Sequence, residues 1–301
     1  MIKKIFLNLD ENRLRAGWRL LLVLIALPIV SRILNPIIKP VFGGTLEDDM
    51  IRWIFRGVLV VITATLVVWI GRRYLDKKTF SSLGVRLNGL GVWDLLVGFL
   101  ISGLMVGIVF VVLRYFEIIK IQEIGWDGNG ILPFLEMFLW LIGVGATVAW
   151  SEELGFRGYI LQNLGEGIGI VWAVVVSCLL YGLMHMINPN STMLSGLLIA
   201  MIGFLRILGW LRTGQLWLSM GMHAGWNFFQ GPIFGFSISG YSTDSLIKHS
   251  LSGPDWVTGG SFGPEAGIVV VPVVLLGLLA MVLWTSRREN TPWTQRKNAV
   301  V

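Results

Sequence analysis

Two adjacent acids, Glu152 and Glu153, stand at the end of an apolar stretch, Ile131 to Trp150, that otherwise has the composition of a membrane span. Two histidines, His185 and His223, fall inside later apolar stretches. Ionisable groups are costly in a bilayer, so their presence there marks a candidate functional site. Four short pieces carry the chemistry: Glu152-Glu153-Leu-Gly-Phe-Arg157, Tyr181-Gly-Leu-Met-His185, Asn188-Pro189 and His223-Ala-Gly-Trp-Asn227. Neighbouring carboxylates in a low-dielectric pocket resist simultaneous ionisation. Arg157, four residues after Glu153, shares its helix face and can pair with it. Glu152 projects roughly 100° away and is left to polarise a water as general base. His185 can hold the same water. His223 and Asn227, four apart on one helix face, can donate hydrogen bonds to a developing oxyanion. Together these residues form a set for attack of water on an amide carbonyl.

The elements that position this set are membrane helices. Apolar residues make up 54% of the chain and charged residues 14%, gathered so that the apolar runs reach spanning length. A spanning helix needs about 20 apolar residues. Eight candidates follow: 17–34, 53–71, 92–115, 131–150 with a helical extension, 168–187, 192–212, 215–231 and 267–285. The fold class is therefore all-α, a polytopic membrane helical bundle with its active site in an intramembrane cavity. Gly165, Gly167 and Gly169 mark a turn between the fourth and fifth helices. Glu152 precedes that turn by nearly as many residues as His185 follows it, which puts both roughly 25 Å from it. In an antiparallel hairpin they can face each other. The 37 glycines suit close helix approach in lipid.

The chain reads as one integral membrane domain, 1–301, with catalytic core helices over 131–230. Residues 1–16 read as an amphipathic lead-in and 72–91 as a basic loop. Residues 232–266, rich in Gly, Ser, Thr and Pro, read as a polar extramembrane loop, either a cap over a cavity or a solvated connection. The net charge of +6 is a topology signal and gives no reason to expect a nucleic-acid partner. Lys3, Lys4, Arg13, Arg15 and Arg19 form one basic cluster; Arg72, Arg73, Lys77, Lys78 and Arg86 form a second; Arg287, Arg288, Arg296 and Lys297 form a third. With eight spans all three fall on one side, which places both termini in the cytoplasm and the protein in the cell membrane. The turn between the fourth and fifth helices then faces the cytoplasm, and access to the site is expected from there. A retained first span is expected rather than a signal peptide. The C-terminal Asn-Ala-Val-Val carries no prenylation cysteine. The single cysteine, Cys178, permits no disulfide framework. His249 reads as a solvated loop residue, and Arg206 as a snorkelling side chain near a helix end.

The pieces EExxxR, (F/Y)xxxH and HxxxN, in that order and each on a hydrophobic helix, resemble the CAAX prenyl protease and bacteriocin-processing family of intramembrane glutamic endopeptidases. The Asn188-Pro189 pair and, more weakly, Arg13-Leu-Arg-Ala-Gly-Trp18 are similar as well. The resemblance implies water activation by Glu152 and His185, an oxyanion site of His223 and Asn227, and support from Glu153 and Arg157. Tyr181 stands where the family often has Phe, and its ring can wall the pocket. The implied substrate is a membrane-associated or lipidated peptide or protein, with no cofactor.

Two other classes remain open from sequence. One is a zinc-dependent membrane metallohydrolase with Glu152, His185 and His223 as ligands, although no HExxH pair is present. The other is a non-catalytic immunity, scaffold or transport protein, since membrane acids and histidines also serve proton relays.

Overall fold

A computed structural model of the protein describes residues 5–8, 11–42, 49–125, 132–289 and 291–292. Lys3, Lys4, Arg296, Lys297 and the C-terminal Asn-Ala-Val-Val lie outside these residues, as does Ile131.

Each of the eight expected spans coincides with a helix. They are α1 (Ala16–Ile38), α2 (Asp49–Ile70), α3 (Gly89–Tyr115), the composite α4, α5 (Ile170–His185), α6 (Met193–Thr213), α7 (Trp217–Phe228) and α8 (Val270–Trp284). Helix α4 is a continuous rod assembled from Leu132–Trp140, Thr147–Glu153 and Leu161–Ile168, joined by π turns at Leu141–Ala146 and Leu154–Ile160. Ala16–Val41, Ile54–Leu75, Gly89–Tyr115, Phe134–Ile168 and Met193–Thr213 are long and apolar enough to cross a membrane. Helices α5 and α8 are apolar but shorter. The protein is thus a mostly helical integral membrane bundle.

Local sequence explains where the elements stop. Asn88 caps α3 by accepting from the Gly91 N–H, and Thr192 with Ser195 forms a capping box at the start of α6. Gly214, with φ +67°, closes α6 in the left-handed conformation that glycine adopts without strain. Glycine also sets the tightest helix contact, between α3 and α7. A Cβ at Gly221 would lie 2.0 Å from the Leu95 carbonyl oxygen, and one at Gly225 would lie 2.5 Å from that of Phe99. With no side chain there, the backbones approach directly, as small residues permit in membranes. The main core fills the space among α3, α6, α7 and α8 with residues such as Val106, Val109, Leu205, Leu218 and Val274.

The two ends of the bundle differ. At one end, hereafter the basic end, Asp76 accepts from Arg19 (2.8 Å), Arg72 (3.0 Å) and Asn163 (3.2 Å), while Glu166 pairs with Arg13 at 3.0 Å and Arg19 at 2.8 Å. Asp94 at the start of α3 is held there by Arg288 (2.6 Å) and Trp284 (2.8 Å). These contacts rivet the start of α1, the end of α2 and the end of α4 together, so the similarity at Arg13–Trp18 has a structural place. Strand β1 (Leu7–Asn8) pairs antiparallel with β2 (Arg13–Leu14), where an amphipathic lead-in was expected. The basic loop is likewise ordered, by a π turn at Gly71–Leu75 and a 3-10 turn at Phe80–Leu83.

At the opposite end, hereafter the loop end, β3 (Ile119–Ile124) follows α3 and pairs antiparallel with β4 (Ile247–Leu251), with an irregularity between Ile121 and Glu123. His249 is not solvated. Its ring packs against Phe236 (centroids 4.9 Å apart) and Phe110 (6.0 Å), and burial pushes its imidazole below the ordinary histidine range. Composition concealed this because the strand's apolar partners come from α3 and from the end of α7.

Candidate active site

The site is built where the second π turn of α4 meets α5, α6 and α7. A π turn inserts one residue into the helical ladder and rotates the side chains beyond it, a device frequent at functional sites. Glu152 and Glu153 immediately precede it and Arg157 lies within it.

The two acids occupy different environments. Glu153 is fully buried, and Glu152 is partly open to a cavity of about 530 Å³. That volume is within the range of small-ligand sites. Glu153 Oε1 meets Arg157 Nη1 at 3.3 Å, Arg206 Nη1 at 3.8 Å and His223 Nδ1 at 2.9 Å. The adjacent carboxylates are therefore matched by two guanidinium groups, one more than sequence spacing indicated. Arg206 does not snorkel. It is buried, with Nη1 donating to the Tyr181 hydroxyl at 2.5 Å. Tyr181 in turn donates to Glu152 Oε2 at 2.9 Å, and its ring lies 4.2 Å from the Arg157 guanidinium carbon. Its hydroxyl thus links Arg206 to Glu152, which a phenylalanine could not do. Gly203 keeps this region compact, since a Cβ there would lie 3.1 Å from the Tyr181 ring.

The histidines converge on Glu152. His185 Nε2 lies 4.0 Å and His223 Nε2 lies 3.9 Å from Glu152 Oε2. On the far side of each ring, Nδ1 meets an oxygen that can only accept: the Tyr181 carbonyl at 2.9 Å from His185, and Glu153 from His223. That partner fixes the tautomer of a neutral imidazole, with the proton on Nδ1 and the lone pair on Nε2. A carboxylate oxygen and two Nε2 lone pairs then face one another across gaps too long for direct hydrogen bonds. A water molecule, with two protons to give, is complementary to such a set. Asn227 lines the same cavity one helical turn beyond His223. All seven residues singled out from sequence are thus gathered here, with Glu152, Tyr181, His185, His223 and Asn227 on the cavity wall and Glu153 and Arg157 behind it. The sequence placement of Glu152 opposite His185 agrees with this geometry.

Among the described residues, no group of three or more His, Cys, Asp and Glu side chains has the arrangement of a metal-ion site.

The loop over 232–266 completes the cavity. Ser239, Tyr241, Thr243 and Asp244 line it, and so does Glu265, which accepts from Trp226 Nε1 at 2.9 Å and from the Ser239 hydroxyl. Gly240, with φ +91°, lets the loop press onto the α5–α6 connection, where a Cβ would lie 2.1 Å from the Pro189 carbonyl oxygen. From sequence, access was favoured from the side of the membrane that holds the α4–α5 turn, and at that end of the bundle the way to the acids is filled. Between Glu152 and that turn lie the buried side chains of Leu154, Arg157, Tyr159, Leu161 and Asn163. The cavity lies instead on the loop-end side of the acids.

Comparison with known proteins agrees with this picture. Residues 134–229 match the family model described as type II CAAX prenyl endopeptidase Rce1-like. The match covers about a third of the chain and includes all seven residues, so the resemblance read from the three motifs holds over this region, which is similar to a protease family. The chain is also 23% identical over 210 residues to a Bacillus subtilis (strain 168) protein named "Uncharacterized protein YyaK". That alignment spans 65% of this chain and 66% of the Bacillus protein. No solved structure matches the chain.

Proposed function

We propose that this protein is an intramembrane endopeptidase that hydrolyses a peptide bond with a water held between Glu152 and His185. The observation that carries the reading is the convergence of the Glu152 carboxylate and the two Nε2 atoms at about 4 Å. Glu152 takes a proton from the water as its oxygen attacks the carbonyl carbon. The resulting oxyanion accepts from the Asn227 amide and from His223. His223 donates from Nε2 after taking up a proton from solvent through the cavity, and Glu153 at Nδ1 balances that imidazolium, as an acid does behind a catalytic histidine. When the tetrahedral intermediate collapses, the C–N bond breaks and the proton on Glu152 passes to the leaving amine. Tyr181 and Arg206 hold the Glu152 carboxylate in place throughout, and Arg157 anchors Glu153.

The substrate is a membrane-associated peptide or protein segment, and the basic end of the bundle faces the cytoplasm. The chemistry is complete without a metal, so a chelator is expected to leave the rate unchanged. Loss of activity restored by zinc would make Glu152, His185 and His223 ligands instead.

The test is cleavage of a diverse peptide library by the purified, detergent-solubilised protein, read by mass spectrometry. Wild type is expected to generate defined new termini. The nearly isosteric Glu152→Gln variant is expected to generate none while eluting as the same folded species. Equal cleavage by both would remove Glu152 from the mechanism.

A further inference from the structure

The cavity, the plug behind it and the charge distribution fix a direction that the reaction itself does not specify. The cavity is bounded by the loop-end segments, with Ser239, Thr243 and Asp244 on one side and Trp140, Val144 and Val148 of α4 on the other. Those three α4 residues are spaced by four and lead towards Glu152, one further step of four along the same rod. They form an apolar rail from the loop end down to the acids. Towards the basic end the passage is closed by Leu154 and Leu161, both fully buried, and by the Asp76 and Glu166 networks beneath them.

The basic end collects Arg13, Arg72, Arg73, Lys77, Lys78, Arg86, Arg212, Arg287 and Arg288. The loop-end connections hold fewer: Lys39 and Arg52 flank the one between α1 and α2, and the described parts of those between α3 and α4, α5 and α6, and α7 and α8 hold Lys120 and Lys248. An excess of Lys and Arg marks the cytoplasmic side of a membrane protein. The rim of the cavity therefore faces away from the cytoplasm.

The polar lining adds a second constraint. Arg206 is the single Lys or Arg among the described residues that line the cavity, and its guanidinium is engaged by Tyr181 and Glu153. The rim carries the exposed carboxylate of Asp244. A peptide's terminal carboxylate would find no uncommitted Lys or Arg here, and an internal segment has no terminal carboxylate to place.

We propose that the site takes an internal, extended peptide segment from the non-cytoplasmic face of the membrane, seating an apolar side chain on the Trp140–Val144–Val148 rail. This rests on the proteolytic reading above and narrows its substrates to membrane-anchored or exported polypeptides exposed on that face. Cytoplasmic proteins with a lipidated C-terminus are excluded.

Two arms test it separately from the proteolytic reading. In the first, single cysteines are placed at the exposed Ser242 on the rim or the exposed Ser81 in the basic loop, in a Cys178→Ser background. Intact cells are then treated with a membrane-impermeant maleimide. Ser242→Cys is expected to label in intact cells, and Ser81→Cys only after lysis. The reverse pattern overturns the proposal whether or not any peptide is cut.

In the second arm, a peptide cleaved by the detergent-solubilised protein is offered to oriented vesicles. It is presented as an internal segment with its C-terminus either free or amidated. Cleavage from the rim side, indifferent to amidation and reduced at least tenfold by maleimide on Ser242→Cys but not on Ser81→Cys, supports the proposal. Cleavage only from the basic side, or only with a free terminal carboxylate, overturns it and leaves the protease reading intact. Absence of cleavage by wild type in detergent removes the protease reading, and this substrate assignment falls with it.

Discussion

The buried charge arrangement makes a quantitative prediction through Arg206 and Glu153. Their closest atoms are 3.8 Å apart, and both side chains are almost wholly removed from solvent. With an effective dielectric constant of about 20, Coulomb's law gives an attraction of about 4 kcal/mol at that separation. Arg206→Met leaves Glu153 facing Arg157 and His223 alone and removes the donor to Tyr181. Glu153→Gln leaves two guanidinium groups without their shared carboxylate. Breaking a buried pair from one side costs roughly 3–5 kcal/mol, because an uncompensated charge remains. Removing both partners restores the balance, since Glu152 and Arg157 keep one charge of each sign. The double variant should therefore be less destabilised than the sum of the singles, by roughly 2–3 kcal/mol after allowance for relaxation around each site. Equilibrium unfolding of the four proteins in mixed micelles, read at one temperature, gives the coupling directly. Additivity within about 0.5 kcal/mol would refute the account of Arg206 as an energetic partner of Glu153.

Three further outcomes follow from individual contacts. Tyr181→Phe removes the hydroxyl that joins Arg206 to Glu152. A hydrogen bond to a charged group contributes about 1.5–3 kcal/mol, so kcat should fall roughly ten- to hundredfold, and a rate within twofold of wild type would dismiss the link. Asn227→Ala removes one oxyanion donor and should lower kcat on the order of 10²-fold with KM nearly unchanged; an effect confined to KM would argue against that role. His249 is packed between two rings with its pKa pushed down by burial. Above the unfolded-state value of about 6.5 it is neutral in both states and contributes no pH dependence. As pH falls through that value the unfolded segment takes up a proton that the folded one resists, so the β3–β4 ribbon loses stability towards acid. The protection of its amides, relative to their intrinsic exchange at each pH, should fall between pH 7.5 and pH 5.5 in wild type and much less in His249→Phe. Equal protection at both pH values in wild type would refute this.

What the sequence disclosed and what it hid divide along physical lines. The eight helices were legible because apolar runs of spanning length have few other uses, and the depth match of Glu152 with His185 followed from helix rise about a glycine-marked turn. The pairing of Glu153 with Arg157 was legible from local spacing. Arg206 was not, because its partners Tyr181 and Glu153 lie on other helices and a single arginine towards a helix end has the pattern of a snorkelling side chain. The Tyr181 hydroxyl was overlooked for the same reason: its ring fitted the motif, while its two hydrogen bonds depend on α4 and α6. The π turns on either side of the acids carry no composition signal, since they shift a register without changing which residues are apolar. Glu265 and the cavity-lining part of the loop were hidden in polar, glycine-rich sequence. There, positive-φ positions such as Gly240 and Gly263 mark an ordered path only once the surfaces they press against are known.

The central claim is that this membrane bundle cuts polypeptides with Glu152. It is tested most directly by comparing membrane proteomes of cells expressing wild type or Glu152→Gln at matched levels, with new peptide termini as the readout. The account predicts termini that occur only with wild type and fall in polypeptides exposed on the non-cytoplasmic face. Identical sets of termini from the two proteins would contradict it.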